Sequence, residues 1–275
     1  MTSFAATPWS APIFRWAGSK RKLLPILLRA TPAKYERYFE PFVGSGCLFF
    51  ALRPRRAVIG DINADLMTAY SALQRHPRLL HRRTASFRLN RRSYYRLRDR
   101  LGNSDDMLDD AARFTALNRH CFNGLYRANS AGKFNVPFGN RHGLLPGEAT
   151  FYRASIALRR CRLVTGDFVM TLRNADEGDF VYLDPPYVYS DRRDRGEYGP
   201  GTFKIPDMRR LFKSMHRLDK LGAYVLLSFL ETHEVLKMAN GWNIETVPVQ
   251  RQISGFAHFR NVVNEVLISN YAISD

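Results

Sequence analysis

FEPFVGSGCLFFAL, Phe39 to Leu52, decides the fold. A short apolar strand near Tyr38–Glu40 ends on an acid, turns through Gly44 and Gly46, and runs into an apolar helix from Cys47. Glycine lets a backbone take left-handed angles and pass close to a ligand. After the basic loop Arg53–Arg56 comes AVIGDIN (Ala57–Asn63), a second strand ending on Asp61, and then the helical ADLMTAYSALQ. Strand, glycine turn, helix, strand and terminal acid make up one half of a nucleotide-binding α/β sheet.

Upstream, FRWAGSKRK opens a helical segment from Phe14 to Ala30. Downstream, the alternation of strand and helix stops. Residues 71–154 read as helices with basic faces, followed by a Gly/Asn-rich stretch from Asn118 to Gly147. The α/β pattern resumes at CRLVTGDF (Cys161–Phe168) and continues through DFVYLDPPY, a helix around Pro206–Leu221 and the strand AYVLLSF (Ala223–Phe229). IETVPVQ and VVNEVLISNY, close together at the end, predict an antiparallel hairpin. The expected organisation is a catalytic domain in two parts, 1–70 and 155–275, with a mostly helical recognition domain at 71–154 inserted between them.

Charge narrows the class of partner. The net charge is +17, and residues 1–100 hold 20 Lys+Arg against 5 Asp+Glu. Eight arginines lie between Arg75 and Arg100. Guanidinium groups suit bidentate phosphate contact, so a nucleic acid is the leading partner and a solvated basic face the alternative. No apolar run reaches the length of a membrane span. Cys47, Cys121 and Cys161 are far apart and lack metal-ligand spacing, which fits a reduced cytoplasmic protein with no metal.

Three strand-end acids outline a cofactor site. Asp61 is placed to accept from ribose hydroxyls. Glu40, directly before the glycine turn, disfavours a pyrophosphate and favours a cation such as a sulfonium with an amino-acid tail, which points to S-adenosylmethionine over a dinucleotide. Asp167 and Phe168 are placed to meet an adenine ring, although Asp167 also suits a plain helix N-cap. The bland reading of the glycines is an ordinary βαβ turn.

In FVYLDPPYVYS (Phe180–Ser190), two prolines end a buried strand on Asp184. The Asp184 carboxylate and the Pro185 carbonyl form a rigid pair of acceptors, continued by Pro186 and Tyr187. Such a pair can hold both hydrogens of an exocyclic amine and localise its lone pair for in-line attack on a methyl sulfonium. A ring at Tyr187 can stack on a base flipped out of its duplex. The competing reading is a Pro-Pro turn with a capping acid.

FRWAGSK, FEPFVGSG, DIN, LNR…FNGLYR…GKFNVPFG, DPPY and NEVL follow one another in the order found in the Dam-type (D12 class) DNA adenine-N6 methyltransferase family, which the chain resembles over nearly its whole length. The resemblance implies a Rossmann-like S-adenosylmethionine-dependent α/β fold with a mixed sheet. It implies methyl transfer to the 6-amino group of adenine in double-stranded DNA, by a protein compatible with a monomer. It assigns Trp16, Lys20, Glu40, Phe42, Gly44, Gly46, Asp61, Asp167 and Phe168 to the cofactor, and Asp184, Pro185, Pro186 and Tyr187 to catalysis. It assigns Arg15, Phe122, Asn123, Leu125, Arg127, Asn140, Arg141 and Tyr198 to DNA. Within this set Arg127 suits a guanine edge, and Leu125 or Phe122 suits a wedge into the stack. Tyr198 and Phe203 match a loop that closes on the flipped base.

The chain departs from the family at Ser19, where a second glycine is usual, at Asn140 after VPFG, at Phe229 in LLSF, and in RQISGFAHFR. GATC is therefore compatible as a target and not implied. The alternatives are methylation of cytosine 4-amino groups or of RNA, and a silent DNA-binding protein that keeps the fold. A dinucleotide oxidoreductase is disfavoured by Glu40 and the short glycine pattern.

Overall fold

The computed structural model describes residues 12–88, 90–129, 131–139, 143–187, 203–250 and 262–273. Its centre is a seven-stranded sheet of β1 (Tyr38–Glu40), β2 (Ala57–Asp61), β3 (Cys161–Thr165), β4 (Phe180–Leu183), β5 (Tyr224–Leu230), β6 (Asn243–Gln250) and β7 (Val262–Ser269). The spatial order is β3-β2-β1-β4-β5-β7-β6. All pairs from β3 to β5 are parallel, while β7 runs antiparallel to both β5 and β6. The expected mixed sheet and terminal antiparallel pair are thus present, with β7 lying between β5 and β6. The strand order reverses between β1 and β4, and ligands of such sheets bind at the carboxyl ends beside that reversal.

Among the described residues ten α-helices flank the strands: α1 (Leu24–Arg29), α2 (Cys47–Leu52), α3 (Ala64–Arg75), α4 (Pro77–Ser86), α5 (Arg91–Arg98), α6 (Met107–His120), α7 (Glu148–Leu158), α8 (Phe168–Leu172), α9 (Ile205–Lys220) and α10 (His233–Met238). Local chemistry starts several of them. Asn63 accepts from the Leu66 amide at the head of α3, Asp106 from Leu108 at α6, and Thr232 from Val235 at α10. Asn90 and Ser93 close a reciprocal capping box on α5. In α9, Met208, Leu211, Phe212, Met215 and Leu218 are buried at helical spacing, so one face is apolar and the other carries the charges.

Successive side chains of a strand point to opposite faces, and here they supply two cores. Tyr38, Phe180, Tyr182 and Leu226 join the core shared with α1–α7. Phe39, Val181, Leu183, Val225 and Leu227 join the core shared with α8, α9 and α10. Both faces of β1 and β4 are therefore buried. Their carboxyl ends are left as the open edge.

The chain between β2 and β3 builds α3–α7. The expected limits at 70/71 and 154/155 fall inside α3 and α7, so this layer is entered and left in mid-helix. Its buried Leu80, Tyr94, Phe114 and Phe151 belong to the same core as Tyr38 and Ile59 of the sheet.

Candidate functional site

A cleft opens at the carboxyl ends of β1, β2, β3 and β4. Trp16, Lys20, Glu40, Phe42, Gly44, Asp61, Asp167, Phe168, Asp184, Pro185, Pro186 and Tyr187 all line it. Segments far apart in sequence thus meet because one sheet edge carries every strand-end acid.

The glycine turn has strict steric reasons. Gly44 and Gly46 have φ of +44° and +67°, in the left-handed region. A Cβ on Gly44 would lie 2.6 Å from Cδ1 of Trp16, and one on Gly46 would lie 3.0 Å from the Tyr70 hydroxyl. Gly46 caps α2 from behind the cleft wall. Asp61 accepts from the amides of Gly44 (3.1 Å) and Asn63 (3.0 Å). Burial nevertheless raises its carboxyl to about 6. Glu40 is 3% exposed and accepts from the Tyr38 hydroxyl at 3.0 Å. Burial, reinforced by Asp184 and Asp61, pushes it well above the carboxylate range. A cleft with buried acids held at this cost suits a cationic ligand.

Phe42, Phe168 and Phe203 form one aromatic group, with ring centroids 5.6 to 6.3 Å apart. Phe203 therefore sits on the Phe168 side of the cleft. Asp167 caps α8 through the Val169 amide, and both its oxygens accept from Arg210 at 3.0 Å. The capping contact thus forms, and Asp167 lines the cleft as well. Ser19 is tied into the cleft floor by Cys47 Sγ at 3.0 Å and Ser45 Oγ at 3.1 Å.

The Asp184 side of the cleft is built around a buried lysine. Lys20 Nζ lies 2.6 Å from Asp184 Oδ1 and donates to the Tyr187 hydroxyl at 2.7 Å. Tyr187 in turn donates to Glu265 Oε1 at 2.9 Å, and Glu265 Oε2 lies 3.7 Å from Lys20. Burial works against the lysine's charge, but Asp184, Tyr187 and Glu265 outweigh it and hold Lys20 as an ammonium, above its usual range. Burial also raises the Asp184 carboxyl, with Lys20 opposing the rise. Ser228 donates to Asp184 at 3.3 Å and shares a 2.9 Å hydrogen bond with Tyr182. Phe229, at the position of a usual Asn, packs its ring 5.4 Å from that of Tyr187. Lys20, expected at the cofactor, thus also reaches the Asp184 motif. Glu265, Ser228, Tyr182 and Phe229 were not among the expected site residues. NEVL was visible as a block, but nothing in its composition points to Tyr187.

The described residues expected at DNA lie on the N-terminal segment and on the loop that follows α6. Asn118 of α6 clamps the main chain of Arg15, accepting from its amide at 2.8 Å and donating to its carbonyl at 2.7 Å. Arg119 donates to the Ile13 carbonyl, and burial together with neighbouring Arg15 lowers its guanidinium to about 10. Phe122 and Asn123 are exposed, and Asn123 has φ of +54°. Leu125 is half-buried against the core, which leaves Phe122 as the more projecting apolar side chain. Arg127 is held by Asn135, donating to its side-chain oxygen at 2.8 and 3.0 Å. Tyr126 stacks on Trp16 at 5.4 Å, which links this loop to the glycine turn. Asn140, Arg141 and Tyr198 lie outside the described residues, as does RQISGFAHFR. Among the described residues no group of three metal-ligating side chains occurs and no helix is long and apolar enough to cross a membrane.

Residues 16–253 match the model of a family described as D12 class N6 adenine-specific DNA methyltransferase. A type II methyltransferase of Lactococcus lactis subsp. cremoris, M1.LlaDCHI, is 34% identical over 94% of this chain and 95% of its own length. Another, M.MjaIII of Methanocaldococcus jannaschii, is 31% identical over 94% of this chain and 99% of its own. A DNA adenine methylase of Vibrio cholerae is 31% identical over 92% of this chain and 93% of its own.

Proposed function

The chain belongs to the D12 class N6 adenine-specific DNA methyltransferase family, and on that premise we propose how its cleft transfers a methyl group to the 6-amino group of a flipped-out adenine. S-adenosylmethionine, the donor that membership implies, supplies one electrophilic methyl group on a sulfonium. The chain's residues fit such a donor. Glu40 and Asp61 are buried acids whose protonation a cation would reverse, and the missing side chain of Gly44 lets Trp16 close against the turn. In this reading Asp61 binds ribose hydroxyls, the Phe42–Phe168–Phe203 group packs on the donor's adenine, and Trp16 seals the turn.

The Asp184 carboxylate and Pro185 carbonyl accept the two hydrogens of the target amine, so its lone pair turns from the ring towards the methyl group. Preorganised acceptors cost no rearrangement during the reaction, which is where most of the rate arises. The amine's surplus proton passes to Asp184, whose raised affinity for protons suits it to receive one. Lys20 and Ser228 hold that carboxylate in place. On the DNA side, Arg127 is a cation offered to the duplex from the FNGLYR loop, Arg15 packs beneath Gly124 and Gly143, and Phe122 is an exposed side chain suited to open the stack.

The observation that carries this reading is Asp184, fixed by Lys20 at the strand reversal in the same cleft as Glu40 and Asp61. The test is transfer of labelled methyl from S-adenosylmethionine to duplex DNA of mixed sequence, followed by nucleoside analysis. Label in N6-methyladenine is expected. Label in N4-methylcytosine, in RNA only, or nowhere overturns the proposal. Sequencing of methylated adenines then gives the target site, for which GATC is one candidate.

A further inference from the structure

We propose that Glu265, in the NEVL block, is a positioning residue that fixes Tyr187 and divides the charge of Lys20, keeping Asp184 a strong acceptor for the target amine. The inference rests on the methyl-transfer reading above and deepens it.

Glu265 stands on β7, opposite Leu230 of β5 and Val247 of β6, and is 3% exposed. Its neighbours Val266 and Leu267 are fully buried. An apolar residue would pack there without the desolvation cost of a carboxylate, so the acid needs a compensating role. Both of its oxygens lie near the site. One accepts from the Tyr187 hydroxyl at 2.9 Å and the other lies 3.7 Å from Lys20 Nζ.

The consequence is electrostatic. Lys20 with Asp184 alone would be a neutral pair at 2.6 Å, in which the ammonium claims the acceptor strength the amine needs. With Glu265 present, one ammonium is shared among two carboxyl groups and a phenol, so Lys20 is not devoted to Asp184 alone. The same hydroxyl contact sets the Tyr187 ring, which Phe229 supports from behind. Among the described residues, the groups that bear on the Asp184 carboxyl are Lys20 from the N-terminal turn, Glu265 from β7, Ser228 from β5, Tyr182 from β4 and Glu40 from β1, with Tyr187 acting on Lys20. Glu265 favours the protonated form of Asp184 and Lys20 opposes it.

The test is the pH profile of single-turnover methyl transfer, at saturating donor and DNA, for the wild type, Glu265→Gln and Glu265→Asp. Thermal unfolding and donor Kd are measured alongside. Glu265→Gln keeps an acceptor for Tyr187 and removes the charge. Its turnover should fall by about 10- to 100-fold. The acid limb should move to lower pH by about half a unit or more, because a like charge near Asp184 is gone. A merely structural glutamate would change the unfolding temperature and leave that limb where it was. Glu265→Asp keeps the charge and shortens the reach, so turnover should fall while the acid limb stays. If Gln prevents folding, the Asp variant decides alone, and turnover within about twofold of wild type overturns the proposal. A folded Gln variant with wild-type turnover and an unmoved limb overturns it too. Failure of the underlying reading looks different, since the wild type would then transfer no methyl to DNA.

Discussion

Asp184 and Asp61 are both strand-end acids in one cleft, yet their surroundings give them different work. Asp184 is bound to a buried ammonium, and in the proposed mechanism its carboxylate is the acceptor on which transfer depends. Asp184→Asn should lower single-turnover transfer by at least about 100-fold while leaving donor binding and the circular dichroism spectrum close to wild type. Turnover near wild type would remove it from the mechanism. Asp61 is a cost to the fold. Its folded value of about 6 lies above the ordinary 3.8, so the native state binds the proton more tightly than the unfolded chain. Stability from this group is therefore greatest below about 4, falls as pH rises to about 6, and is flat above that. The full loss is about 3 kcal/mol, at 1.36 kcal/mol for each pH unit. Asp61→Asn should flatten that part of the stability profile, measured by urea unfolding at pH 4.5 and pH 8. Donor affinity should rise with pH through about 6 in the wild type and be weak and pH-independent in the variant. A variant whose stability profile overlays that of the wild type would contradict the assignment.

At the scale of elements, the N-terminal segment is fastened to the helical layer by buried packing, with Phe14 against Tyr70 and Phe114, and by the polar side chains of α6. The Asn118 side chain satisfies both the amide and the carbonyl of Arg15, next to Trp16 over the glycine turn. Asn118→Ala leaves two backbone groups without partners and should cost about 2–3 kcal/mol. Donor KM should rise together with DNA Kd, since Trp16 and Arg15 share the clamp; equilibrium unfolding and steady-state kinetics check both. Strands and strand-end acids were legible because each is a local pattern: an apolar run, a glycine pair, a proline stop. The position of β7 between β5 and β6 was not legible, because alternation reports which face is buried and not which neighbour is bonded. For the same reason the Lys20–Tyr187–Glu265 contacts escaped a reading by motif. They join three blocks from opposite parts of the chain, and each block shows only its own half of the hydrogen bond. The expected domain limits failed to find loops because α3 and α7 carry helical periodicity straight across them, and both helices feed the sheet's own core.

Across the whole molecule, the formal charge of +17 makes DNA affinity an electrolyte problem. Each phosphate neutralised releases counterions, so log K falls with log salt at a slope of about 0.9 per contact. The basic side chains divide into two groups by their surroundings. On α5, Tyr94 is buried and donates to the Val136 carbonyl at 2.9 Å, which fastens this helix behind the FNVPFG loop. Arg92 and Arg96, one helical turn apart, are exposed on it and suit phosphates. Arg127 lies within the FNGLYR loop, its guanidinium oriented by Asn135, and suits a base edge. The two groups should therefore separate experimentally. Arg92→Gln with Arg96→Gln should reduce the salt slope by about 2 and weaken all duplexes alike, leaving the methylated sequence unchanged. Arg127→Ala should leave the slope within about 1 of wild type and cost about 1–3 kcal/mol of discrimination at one base pair. Titrations of a fluorescent duplex between 50 and 300 mM salt, paired with sequencing of methylated adenines, measure both quantities on the same variants. If the α5 substitutions alter site choice while Arg127→Ala changes only the slope, the roles are reversed and sequence reading belongs to the helix face. A slope near zero in the wild type would make the arginine run a solvated surface, leaving duplex binding to the loop and the cleft.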